Sequence, residues 1–181
     1  MRAFRIVLRV VGVSALLALL VVILLDVGQP LSPGTPAPPV EGARLLDGRT
    51  GTLRFGGRPT VVNVWAAWCA PCLAELPDLV ASHRGFGDRV QFVGLATESD
   101  HEAVVALVQR FGVDYDVAEI DERTAHLWKV TSLPSTYLVG ADGRIAWSTR
   151  GQLDRATLDA EIGKLLPVPP VPPVPPGGQA R

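Results

Sequence analysis

Thr60-Val61-Val62-Asn63-Val64-Trp65-Ala66-Ala67-Trp68-Cys69-Ala70-Pro71-Cys72 is the stretch that organises the chain. Thr60 to Trp65 is a continuous β-rich apolar run without alternation, the pattern of a strand buried on both faces. Pro71 to His83 reads as a helix, with Pro71 in the first turn, where its missing N–H costs nothing. Two cysteines three residues apart at a helix start lie within disulfide reach. The partial positive charge and free N–H groups of the helix N-terminus stabilise a thiolate, and the thiolate is the attacking species. A C-x-x-C at a strand–helix junction therefore reads as a redox dithiol. Cys69, at the very start, is expected to be exposed and nucleophilic. Cys72, one turn in, is expected to resolve. The chain has no other cysteine, which excludes a disulfide-rich scaffold and a four-cysteine zinc site. Half of a metal site is an alternative, but His83, His101 and His126 have no ligand-like spacing to the cysteines. A purely structural disulfide is another, although so small a loop would stabilise little.

Outward from this centre, strands and helices alternate. Arg44 to Leu46, an Asp47-Gly48 turn and Thr50 to Arg54 read as a β-hairpin. Val90 to Leu95 is a second buried strand, and His101 to Phe111 carries an apolar helical face. Tyr115 to Ile120 reads as a strand and Glu122 to Lys129 as a helix. Ser135 to Val139, an Asp142-Gly143 turn and Arg144 to Ser148 form a second hairpin. Asp154 to Leu166 closes the domain as a helix with an Asp N-cap. The alternation implies an α/β class built on a mixed sheet flanked by helices.

The two ends differ from the middle. Arg2 and Arg5 precede an apolar stretch from Ile6 to Leu25 that only Arg9, near its start, interrupts. Twenty helical residues span about 30 Å, the hydrocarbon thickness of a bilayer. Basic residues before the run place the N-terminus in the cytoplasm and the rest outside. Leu24 to Pro30 has no A-x-A cleavage pattern, so residues 1–28 are read as a signal-anchor rather than a cleaved signal. Gln29 to Val40 carries five prolines, and 29–42 is read as an extended linker. Residues 43–166 form the domain. Residues 167–181 repeat Val-Pro-Pro and are read as a disordered tail, with a polyproline docking strip as the alternative. Segment 41–166 holds 17 acidic and 13 basic residues, a net charge of −4. No basic footprint for nucleic acid is present.

From Leu45 to Leu166 the chain resembles thioredoxin-like proteins, specifically the membrane-anchored TlpA/ResA/CcmG type. The resemblance rests on Trp68-Cys69-Ala70-Pro71-Cys72, on Pro77 five residues after Cys72, and on Leu133-Pro134-Ser135-Thr136. The hairpin around Asp47-Gly48 resembles the N-terminal extension of this branch, and 97–121 its central αβ insertion. The resemblance implies a thioredoxin-like fold and a cis Leu133–Pro134 bond facing the active site. Pro134 and the backbone of Leu133 would receive an extended substrate segment, with Trp68 as an apolar lip. Asn63 stands where thioredoxin has a buried Asp. In this branch a Glu three residues after the second cysteine handles protons; the matching residue is Glu75, which helical spacing places over Cys72.

The implied activity is that of a thiol-disulfide oxidoreductase needing neither metal nor organic cofactor beyond its Cys69–Cys72 disulfide. Ala70-Pro71 carries no charge, which suggests a potential nearer about −270 mV than −120 mV. The expected role is reduction of disulfides in exported proteins, for example in cytochrome c maturation. Electrons would come from a membrane thiol donor, with residues 6–25 in the cell membrane and the domain on the extracytoplasmic side. A disulfide-forming oxidase and a non-catalytic binding or chaperone module are the alternatives.

Overall fold

The computed structural model describes residues 11–21 and 29–166. Seven strands form one mixed sheet in the order β2-β1-β5-β4-β3-β6-β7. Its central strand is β3 (Thr60–Trp65), buried at all six positions as its apolar run requires. It pairs in parallel with β4 (Gln91–Ala96) and antiparallel with β6 (Ser135–Val139). Beyond β4 lies β5 (Asp116–Glu119), parallel to it, followed by the antiparallel β1 (Val40–Leu45) and β2 (Thr50–Leu53). β7 (Ile145–Arg150) closes the other edge.

Side chains on a strand alternate between faces, and β3 divides the core accordingly. Val61 packs with Phe92, Leu138 and the inner sides of α1 (Ala70–Phe86) and α4 (Arg155–Leu165), through Leu76, Leu79, Leu158 and Ile162. Val62 and Val64 face the opposite layer with Val93, Trp128, Tyr137 and Ile145. Among the aromatics, Phe92, Trp128 and Tyr137 are buried and Trp147 is half-buried. The insertion supplies α2 (His101–Phe111), whose Val104 packs beside Trp65 and Ala96. The short α3 (Glu122–Leu127) is capped by Asp121, which accepts from the Thr124 N–H at 2.8 Å. The expected Asp154 cap of α4 is present, accepting from Thr157 N–H at 2.8 Å.

The proline-rich stretch behaves differently from the extended linker expected over 29–42. Leu31 is buried in the core, Val40 opens β1, and Pro36 bridges to Arg144. The Gly34 N–H donates to Ile145 C=O, the Ala37 N–H to Gly143 C=O, and Ile145 N–H to Thr35 C=O. Proline removes donors but leaves every carbonyl and the intervening N–H groups, and these suffice to bind the segment to the β6–β7 turn.

At that turn Gly143 has φ +76°, and a β-carbon there would sit 2.8 Å from the Phe55 carbonyl oxygen. Gly143→Ala is therefore expected to destabilise the fold by roughly 1–3 kcal/mol, read as a lower denaturation midpoint.

Residues 11–21 are helical. Of the expected span 6–25, residues 6–10 and 22–25 lie outside the described residues, as does the tail 167–181. Among the described residues no helix is long and apolar enough to cross a membrane.

Candidate active site

β3 ends at Trp65 and the chain turns through Ala66 to Trp68 into α1. Cys69 is the N-cap residue, and its sulfur accepts a hydrogen bond from the Cys72 N–H at 3.3 Å. Pro71 occupies the first turn, and no acidic residue stands there to oppose negative charge on the sulfur. Cys69 and Cys72 are joined in a disulfide, with Cα atoms 5.3 Å apart.

Cys72 is fully buried, and Cys69 is only 4% exposed. The expectation that Cys69 would be exposed is corrected here. Its sulfur turns inward to cap the helix, and both cysteines pack in a cluster with Trp65, Ala66, Ala96 and Val104, against which Leu133 is half-buried. The surface is instead carried by Trp68, 63% exposed, whose indole N–H donates to the Glu98 carbonyl at 3.0 Å. Glu98 has the unusual φ of +47° for a non-glycine residue. The neighbouring Ser99 Oγ accepts from Ala67 N–H and donates to Thr97 C=O, each at 2.8 Å. This loop after β4 fixes the approach to the dithiol, and no motif in the sequence singles it out. Beside it a groove of about 220 Å³ is lined by Trp68, Glu98, Ala125, Val130 and Leu133, among others.

The Leu133–Pro134 bond is cis, and Pro134 is buried at the start of β6. β6 then places Thr136 directly across from Asn63 on β3. Asn63 Nδ2 donates to Thr136 Oγ1 at 3.1 Å and to Glu75 Oε1 at 2.7 Å. Glu75 is 1% exposed, and its Oε2 accepts from the Leu153 N–H at 2.9 Å. Burial raises the Glu75 carboxyl from 4.5 to about 7, against the lowering effect of the Leu153 and Asn63 hydrogen bonds and with some help from Asp78. The structure thus gathers Cys69, Cys72, Trp68 and Leu133 around one cluster and groove, and buries Glu75 one turn behind Cys72. The Leu153 partner, 78 residues away in sequence, left no signal that sequence reasoning could read. Among the described residues, no three His, Cys, Asp or Glu side chains gather as a metal would need.

Residues 33–148 match the family model described as AhpC/TSA. The chain belongs to the AhpC/TSA family. It is 30% identical over 168 residues to a protein of Xylella fastidiosa (strain Temecula1) named thiol:disulfide interchange protein DsbE, covering 88% of this chain and 83% of that one. It is 25% identical over 126 residues to the thiol-disulfide oxidoreductase ResA of Bacillus thuringiensis, covering 67% and 72%. Among solved structures, a thioredoxin-family thiol:disulfide interchange protein of Chlorobium tepidum superposes with TM-score 0.65 at 24% identity, covering 76% of this chain and 99% of that one. The fold is thioredoxin-like, and the protein is a thiol-disulfide oxidoreductase of the DsbE/ResA type.

Proposed function

We propose that this oxidoreductase is tethered to the cell membrane through residues 6–25 and reduces disulfides of exported proteins on the extracytoplasmic side, as in cytochrome c maturation. The observation that carries the reading is the helix-capped Cys69 sulfur with a buried carboxyl, Glu75, one turn beyond Cys72. Cys69 thiolate attacks one sulfur of the substrate disulfide, and the first substrate thiolate leaves and takes up a proton. Cys72 gives its thiol proton to Glu75, and the resulting thiolate attacks Cys69 Sγ. That step expels the second substrate sulfur as a thiolate, which takes up the proton held by Glu75, and closes the Cys69–Cys72 disulfide. Two electrons pass from dithiol to substrate. A membrane thiol donor then returns two electrons and two protons to the enzyme.

Pro134 and the Leu133 backbone receive the substrate segment flanking its cysteine, and Trp68 covers it. A helix cap that favours the Cys69 thiolate stabilises the reduced form and so raises the potential; the uncharged Ala70-Pro71 dipeptide adds no further cation that would raise it more. The full-length protein is expected to catalyse insulin reduction and to equilibrate with glutathione buffers at a potential below about −200 mV. A potential near −120 mV would assign it to disulfide formation instead.

A further inference from the structure

Asn63 lies on the α1 side of β3 with Val61 and Trp65, and both of its amide hydrogens are committed, one to Glu75 Oε1 and one to Thr136 Oγ1. Its Oδ1 is buried and has no hydrogen-bond partner among the described residues. An unpaired buried acceptor is costly, yet the position could be held by an apolar side chain of similar shape. The arrangement suits one state of Glu75 only. With the carboxylate ionised, Oε1 accepts from Asn63 and Oε2 from Leu153 N–H. A protonated Glu75 must itself donate. Leu153 N–H is a fixed donor and keeps Oε2 an acceptor, so the proton falls on Oε1, where it would confront the Asn63 NH2.

We propose that the Asn63 amide turns over when Glu75 takes up a proton, so that the same heavy-atom contacts serve both states. A half-turn about the Cβ–Cγ bond exchanges Nδ2 and Oδ1. Oδ1 then accepts from Glu75 Oε1–H and from the Thr136 hydroxyl, which can donate as well as accept. Each hydrogen bond survives with its direction reversed, and the unpaired site passes from an acceptor to a donor. Aspartate at this position would set two carboxyls against each other, and leucine could serve neither state. Asn63 is thus a positioning residue for the proton on Glu75. This rests on the proposed use of Glu75 in resolving the mixed disulfide. The other groups facing Glu75 among the described residues are Asp78, one turn along α1, and the Tyr115 phenol ahead of β5. Burial pushes the Tyr115 phenol up, so it stays protonated throughout the range in which Glu75 titrates.

Asn63 is the sole asparagine of the chain, so labelling asparagine with 15N gives a single side-chain amide in spectra of the full-length oxidised protein in detergent micelles. Its signals are expected to shift between pH 5 and 9 with the same midpoint as the 13C-labelled Glu75 carboxyl. The nuclear Overhauser contact from the amide hydrogens to the Thr136 methyl is expected above the midpoint and lost below it. In Glu75→Gln both readouts should become independent of pH. An amide that keeps its Thr136 contact while Glu75 titrates overturns the proposal, as does a Glu75 that does not titrate in this range. The measurement uses the resting oxidised enzyme, so it is decided separately from insulin reduction, which reports the proposed activity.

Discussion

Cys69→Ser is expected to reduce insulin reduction to the uncatalysed background, a loss of about 10³-fold or more. Serine keeps the size of the cap but has no accessible anionic nucleophile at neutral pH. Cys72→Ser separates the two sulfurs. It leaves Cys69 able to attack, so a stable mixed disulfide with substrate should accumulate and be visible by non-reducing electrophoresis and mass. If the Cys69 variant traps substrate and the Cys72 variant does not, the roles are reversed.

The second large effect belongs to Glu75. Its carboxyl titrates near pH 7 in the folded protein and near 4.5 as an ordinary side chain. The native state therefore binds more protons than the unfolded state between these values, and stability falls as pH rises through that window. The contribution is fully present below about pH 4.5 and lost above about pH 7, amounting to roughly 3 kcal/mol. This is the reverse of a salt-bridged carboxylate. Glu75→Gln should remove the slope, so that wild type and variant differ by a changing amount between pH 5 and 8 in denaturant titrations. Glutamine can still accept from Leu153 N–H while its NH2 meets an Asn63 Oδ1. The same substitution should slow resolution by about a hundredfold, the usual scale for a lost proton-transfer group, and flatten its pH profile. A parallel pH slope in both proteins, with unchanged resolution, would remove Glu75 from the reaction.

The central strand, its flanking helix and the hairpins were legible because each rests on local patterning. Thr60–Trp65 has no polar period, and Asp142-Gly143 and Asp154 carry their own turn and cap chemistry. The cis bond at Leu133–Pro134 agrees with the resemblance to thioredoxin-like proteins. What escaped were properties set by the third dimension. Nothing local states that the Cys69 sulfur turns under the helix, or that Leu153 offers its N–H to a residue on α1. The stretch 29–42 misled through composition: five prolines between Gln29 and Val40 suggest a free spacer, but Leu31 and Val40 find apolar partners and the carbonyls find donors. Asn63 was singled out only by the resemblance, at the place of thioredoxin's buried Asp, while its two partners became visible only once β6 and α1 lay beside it.

The inward turn of the disulfide has a consequence for selectivity against small reductants. A freely diffusing thiol that collides with this surface meets the Trp68 ring far more often than sulfur, because Cys72 is fully buried and Cys69 nearly so. Thiol exchange needs an attacking sulfur in line with the bond it breaks, and burial of both cysteines makes that approach slower for a small thiol than for a reactant that also fills the groove between Trp68 and Leu133. The enzyme's disulfide is expected to take electrons faster from a docked protein dithiol than from a small thiol, with glutathione reaching equilibrium slowly.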